Sequence, residues 1–193
     1  MKKQLSVLAA AAALALAGCS SVSIEQPSSA TSPSADTELL TDNGLDGLDA
    51  EQVIDQLDRT PVEERATGLM ASIRADELLL SDGQQEVALP LPEDRFYISI
   101  APFVDQTHEC FYHSLTTCTG ELSAEDVQVT IVDDAGQVLV EETTTTYDNG
   151  FVGFWLPRDV GGTIRVSYDG RAGEVDFTTT DDGATCVTSL QLA

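Results

Sequence analysis

Apolar residues recur at two different periods along this chain, and the change comes near Leu69. Ahead of it, Leu39, Leu40, Leu45 and Leu48 are interrupted by Asn43-Gly44, and Val53, Ile54 and Leu57 share one face of a short helix that Asp49 would cap. Thr60-Pro61-Val62-Glu63 predicts a second helix start, with Thr60 as cap, Pro61 in the first turn and Glu63 closing a capping box. The acidic outer faces of these helices read as ordinary solvated surface. Residues 38–68 are therefore expected to be largely helical.

From Leu69 the period is two. Leu69, Ala71 and Ile73 alternate with Met70 and Ser72, with a helix running on through Met70 as the competing reading. Glu77-Leu78-Leu79-Leu80 then leads into the turn signal Ser81-Asp82-Gly83, which predicts a hairpin closing at Pro90 to Pro92. Beyond Pro92 every segment reads as a strand. Phe96, Ile98 and Ile100 alternate; Val127, Val129 and Ile131 form one face; Val138 and Val140 return, and Thr143 to Thr146 extends that strand. Phe151 to Leu156, then Ile164, Val166 and Tyr168, then Val175 and Phe177 follow, separated by Asp148-Asn149-Gly150, Gly161-Gly162 and Asp169-Gly170. Trp155 and its neighbouring phenylalanines read as core. Thr185 to Leu192 predicts a last strand with Cys186, Thr188, Leu190 and Leu192 on one face. The fold class expected is mainly β with a small helical N-terminal part. Its boundaries are a small α+β subdomain over 38–92 and an antiparallel β-sandwich-like domain over 93–193.

The first 37 residues follow neither pattern. Lys2 and Lys3 precede an apolar run from Leu5 to Ala17, too short to span a bilayer as a resident helix and suited to a secretory signal. The run ends in Leu16-Ala17-Gly18-Cys19, which resembles a bacterial lipobox, so residues 1–18 are expected to be a lipoprotein signal peptide and Cys19 the lipidated residue. Residues 19–37, rich in Ser, Pro, Ala and Thr, read as a disordered tether. These features place the protein outside the cytoplasm, anchored to the cell membrane.

Composition narrows the partners. Nine basic residues stand against 33 acidic ones, a net charge of −24. Such a surface repels nucleic acid and anionic headgroups, so no nucleic-acid partner is expected and the membrane is reached only through the lipid.

Chemistry concentrates in one window, His108-Glu109-Cys110-Phe111-Tyr112-His113-Ser114-Leu115-Thr116-Thr117-Cys118. It holds both histidines of the chain and two of its four cysteines. With Cys19 set aside, Cys110, Cys118 and Cys186 remain. An odd number of thiols in an oxidising compartment leaves at least one unpaired or held by something other than sulfur. The spacing fits no standard zinc pattern, and the absence of C-x-x-C removes a thioredoxin-like oxidoreductase. Three thiolates converging from separate strands would suit Cu(I), a soft ion that accepts two or three sulfur ligands. His108 and His113 would stand at the rim as extra ligands, as entry ligands for Cu(II), as bases toward a thiol, or in a supporting role. The plainer alternative is a disulfide between Cys110 and Cys118 with two incidental histidines. No G-x-S-x-G elbow supports a serine hydrolase, and no third member or oxyanion segment completes a Cys–His pair.

The chain also resembles the CueP family of copper-binding cell-envelope proteins. The resemblance lies in Ala101-Pro102-Phe103-Val104, Gln106-Thr107-His108, Cys110, His113 to Cys118 and Gly120-Glu121. It resumes at Thr146 to Gly153 and Trp155 to Asp159, and closes with Thr185-Cys186 and Leu190-Gln191-Leu192. It covers roughly Leu69 to the C-terminus. The resemblance implies copper held by Cys110, Cys118 and Cys186, a part in copper homeostasis and resistance, and handover to envelope enzymes such as copper,zinc superoxide dismutase. A copper exporter as partner and a homodimer belong to the same expectation. The lipobox-like run departs from the better-known members, which are soluble in the periplasm, and favours capture near the membrane.

Two other functions compete: a thiol redox protein that reduces Cu(II) as Cys110 and Cys118 cycle between dithiol and disulfide, and a disulfide-stapled surface module that binds no metal. The protein is not expected to be an enzyme in any other sense.

Overall fold

The computed structural model describes residues 35–193; the signal segment, Cys19 and most of the expected tether lie outside them. Helix α1 (Ala35–Asp42) begins inside the last residues read as tether, and α2 (Ala50–Asp58) follows. Asp49 caps α2 as expected: its carboxylate accepts the Gln52 amide at 2.9 Å while the Gln52 side chain accepts the Asp49 amide at 3.0 Å. Ala50, Val53 and Ile54 are buried, and so is Asp58 at the end of the same stripe.

The second helix does not form. Val62–Glu64 makes a single 3-10 turn with no side-chain cap. Thr60 Oγ1 donates backward to the Gln56 carbonyl at 2.8 Å, and the Val62 amide is taken by the Asp148 carboxylate at 2.7 Å. The capping hydroxyl is thus already spent on the previous helix.

Ten strands follow. β1 (Met70–Ile73), β2 (Glu77–Ser81) and β3 (Glu86–Pro90) form an antiparallel meander, so Met70 opens a strand and the helical alternative is excluded. β5 (Asp126–Asp133), β6 (Val138–Thr145), β8 (Gly161–Tyr168) and β9 (Arg171–Thr178) form an antiparallel sheet in the order β6-β5-β8-β9. Asp169 and Gly170 both take positive φ, 48° and 78°, which gives the tight turn between β8 and β9 the twist a two-residue hairpin needs.

The third sheet organises the molecule. β4 (Arg95–Ile100) lies between β7 (Val152–Pro157), antiparallel, and the short β10 (Cys186–Val187), parallel. Five of its six residues, Phe96 to Ile100, are buried, because both faces are covered. Phe96, Ile98 and Ile100 pack with Val127, Val129, Ile131, Ile164 and Val166 in the sandwich core. Tyr97 points the other way, into a second core made by Leu45, Val53, Ile54, Ile73, Leu78 and Leu80. Trp155 is half-buried against that second core, its ring edge-on to Tyr97 with centroids 5.0 Å apart.

The expected last strand over 185–192 shortens to two residues. Ser99 and Ala101 donate to the carbonyls of Thr185 and Val187, each at 2.9 Å, but Thr107 Oγ1 takes the Thr188 carbonyl at 2.6 Å and one extra residue bulges out before Leu190, where the ladder lapses. It resumes at Phe103, whose amide reaches the Leu190 carbonyl at 3.1 Å. The register pins Cys186 opposite Ser99.

Candidate metal centre

The window from His108 to Cys118 is a loop stitched onto β1 by backbone hydrogen bonds. The Ile73 amide donates to the His113 carbonyl and the Leu115 amide to the Ala71 carbonyl, both at 2.9 Å. The other side of the loop is tied to the segment entering β10. The amides of Thr185 and Cys186 both reach the Phe111 carbonyl, at 3.0 and 3.1 Å. Thr185 Oγ1 accepts the His113 amide at 3.0 Å and donates to the Ile73 carbonyl at 2.7 Å. One hydroxyl thus joins β1, the loop and the last strand, and this junction carries Cys186 to the other two cysteines.

The three thiols converge. The sulfurs of Cys110 and Cys186 are at disulfide-bonding distance, with Cα atoms 5.7 Å apart. Cys118 is a free, buried thiol whose Sγ lies 3.5 Å from that of Cys110 and accepts the Ser114 amide at 3.4 Å. The staple expected between Cys110 and Cys118 is not the pairing this fold shows: Cys186 is the sulfur at bonding distance from Cys110. Two groups of donor atoms, each within 4.8 Å of one another, share Cys118: His108 with Cys110 and Cys118, and His113 with Cys118 and Cys186. A cleft of about 460 Å³ lined by Thr107, His108, Cys110, Cys186 and Thr188 leads to the sulfurs from solvent.

The histidines differ. His108 is half-buried at the cleft. His113, expected at the rim, is 0% exposed. Its ring packs against Phe151 with centroids 4.5 Å apart, Nε2 lies 3.0 Å from Asp58 Oδ1, and Nδ1 lies 3.9 Å from Cys186 Sγ. The backbone ties at residues 73, 113 and 185 pull the ring inward, which periodicity does not reveal.

Asp58 was not singled out from the sequence. It is 1% exposed and accepts three hydrogen bonds: from Tyr97 Oη at 2.7 Å, from Asn149 Nδ2 at 2.9 Å and from His113. Asn149 is held in turn by the Phe151 amide, which donates to its Oδ1 at 2.8 Å, and its Nδ2 also reaches the Asp58 carbonyl at 3.0 Å. Its turn fits against the motif loop because Gly150, at φ 78°, and Gly120 meet backbone to backbone, where a Cβ on either would collide. One signal was available: Asp58 stands four residues after Ile54, on the buried stripe of α2, where an acidic residue requires a partner.

These contacts set the charges. Burial pushes the Asp58 carboxyl up, yet the hydrogen bond and charge of His113, with Tyr97 and Asn149, carry it below the ordinary carboxylate value. Burial pushes the His113 imidazole down, but Asp58 and Cys118 outweigh it and raise it to about 9. The Cys118 thiol is raised by burial and lowered more strongly by His113 and His108, to about 7. Arg65 adds a cation behind the loop, its NH1 donating to the Cys118 carbonyl at 2.8 Å. A buried thiolate with an adjacent imidazolium is a soft-metal ligand and a competent nucleophile.

Three thiols and two imidazoles, gathered where the loop bridges β1 and β10, have the donor set of a soft-metal site on a β scaffold. Residues 52–191 match the family described as periplasmic copper-binding protein CueP, and the chain belongs to that family. The solved structure described as "Crystal Structure of S.CueP" is similar at 42% sequence identity, with a TM-score of 0.79, over 84% of this chain and 99% of that one. No curated protein matches the sequence.

Proposed function

We propose that the protein captures Cu(I) outside the cytoplasm with the thiolates of Cys110, Cys118 and Cys186. It then serves copper tolerance or passes the ion to envelope copper enzymes such as a superoxide dismutase, beside the membrane to which lipid on Cys19 holds it. The observation that carries this reading is the approach of a third, unpaired sulfur, Cys118, to within 3.5 Å of Cys110 beside Cys186. Three sulfurs at one point exceed what a structural disulfide requires and match the coordination Cu(I) accepts. Bonding demands thiolates, so affinity should weaken as pH falls and protons compete for the sulfurs.

The test is a Cu(I) competition titration of the reduced protein against a chromophoric chelator. Cys186→Ser should lose far more affinity than His108→Ala or His113→Ala. Binding by Cys186→Ser as tight as the parent's would end the three-thiolate reading.

A second reading, thiol-coupled reduction of copper, is favoured by the bonding distance between Cys110 and Cys186. Two thiols losing two protons and two electrons to form that bond would reduce two Cu(II) ions to Cu(I), with Cys118 left to hold one. Adding Cu(II) to the reduced protein without oxygen should then consume two thiols as two Cu(I) appear. Unchanged thiols would exclude it.

A further inference from the structure

We propose that Asp58 is a positioning residue of the sulfur site: it fixes the His113 ring with Nε2 on the carboxylate, so that Nδ1 is presented to Cys118 and Cys186. This rests on the three-thiolate reading above. The argument begins with what an ionised carboxylate can do, which is only accept. Asp58 Oδ2 takes the Tyr97 hydroxyl, and Oδ1 takes both Asn149 Nδ2 and His113 Nε2. Nε2 therefore carries a proton, and the nitrogen left to face the sulfurs is Nδ1, 3.9 Å from Cys186 Sγ. A half-turn of the ring would set carbon against the carboxylate and lose that bond.

The ring cannot drift either. Its backbone is fixed by Ile73 and Thr185, and its face lies against Phe151. Asp58 itself comes from a helix 55 residues earlier and is fully buried, a costly place for a carboxylate unless its oxygens are hydrogen-bonded, as both are. In metal sites, a carboxylate behind a histidine fixes the ring and raises its basicity. The same geometry serves both states of Nδ1: with a proton it donates to a thiolate, and without one it offers a lone pair to the ion.

A purely structural Asp58 would tie α2 to the turn at Asn149, and a double-mutant cycle separates the two roles. Cu(I) affinity of the reduced protein is measured for the parent, Asp58→Ala, Asp58→Asn, His113→Ala and Asp58→Ala with His113→Ala. Asp58→Ala should weaken binding by about 10- to 100-fold, the usual cost of losing such a partner. Asp58→Asn, which keeps an oxygen for Nε2–H, should restore most of it. In the His113→Ala background the Asp58→Ala change should add nothing. Parent affinity in Asp58→Ala, or an equal loss in both backgrounds, overturns the proposal. The metal-free arm reads the contact directly, as a slowly exchanging His113 Nε2–H resonance in the 15N-labelled protein. It should be present in the parent and in Asp58→Asn and absent in Asp58→Ala. Its absence from the parent overturns the proposal even where Asp58→Ala fails to fold. Parent-level binding by Cys186→Ser would instead remove the three-thiolate reading and leave the Asp58–His113 contact to the resonance.

Discussion

The hydroxyl of Tyr97, on the central strand, meets the carboxylate of Asp58, at the end of a helix, at 2.7 Å with both residues buried. This contact joins the second core to the histidine–cysteine loop, because the same carboxylate holds His113. Tyr97→Phe removes a hydrogen bond to a charged acceptor and should destabilise the metal-free protein by about 1.5–3 kcal/mol in urea unfolding. Gly153 faces the same hydroxyl from β7, paired opposite Ser99 and so diagonal to Tyr97. A methyl at Gly153 would run into the Tyr97 hydroxyl oxygen. Gly153→Ala should therefore cost about 1–3 kcal/mol, the usual range for overpacking. Unchanged unfolding midpoints in both variants would contradict this account.

The pairing of Cys110 with Cys186, with Cys118 free, makes a prediction about thiol counts. Protein isolated in air should carry one alkylatable thiol among Cys110, Cys118 and Cys186, located at Cys118 by peptide mass mapping, and three after reduction. Cu(I) uptake should appear only in the reduced form. A Cys110–Cys118 linked peptide as the main product would reverse the assignment.

Proton linkage gives a third expectation for the oxidised, metal-free protein. His113 has its value raised from 6.5 to about 9, so its stabilisation is complete below 6.5 and lost as pH rises through 9. Cys118 has its value lowered from 9.0 to about 7, so its stabilisation is present above 9.0 and lost as pH falls through 7. Between about 7 and 9 the folded pair is imidazolium with thiolate and the unfolded pair is imidazole with thiol. Both bind one proton, and stability should be flat there. Cys118→Ser removes one half of the balance. Its stability should fall as pH rises above 6.5, over a window closing below 9, because Cys118 no longer supports the imidazolium. Urea midpoints at several pH values in both proteins check this, and parallel curves would refute the pairing.

Much of this architecture could be read from the sequence, and what escaped has physical reasons. Strands β1 to β9 follow from period-two alternation and Asx-Gly turns, since a half-buried sheet imposes that period on its sequence. The three cysteines were legible by chemistry and resemblance. Thr60 escaped because a hydroxyl that can cap forward can also bond backward, as it does to Gln56. The last strand is shorter than its pattern because one extra residue bulges out between Val187 and Leu190 and Thr107 takes the Thr188 carbonyl, a contact from 81 residues away that alternation over 185–192 does not show. Asp58, Tyr97 and Asn149 escaped because a polar cluster gathered from separate elements leaves no local pattern.

Membrane attachment is tested at Cys19, outside the described residues. Cys19→Ser should leave the protein unprocessed or release it from the membrane fraction, since durable attachment takes more than one acyl chain and all of them depend on this residue. A processed variant that partitions with membranes as the parent does would refute the lipid anchor.

The parallel pairing of β10 with β4 delivers Cys186 from 76 residues beyond Cys110, whereas Cys118 lies only eight residues beyond it. As the chain is made, Cys110 and Cys118 emerge together, long before Cys186. In an unstructured chain the shorter loop closes more easily, by about 2 kcal/mol of chain entropy. Local chemistry therefore favours one cysteine pair and the finished fold another. The disulfide a molecule carries becomes a record of its history, marking whether the last strand had docked when the sulfurs met oxidant.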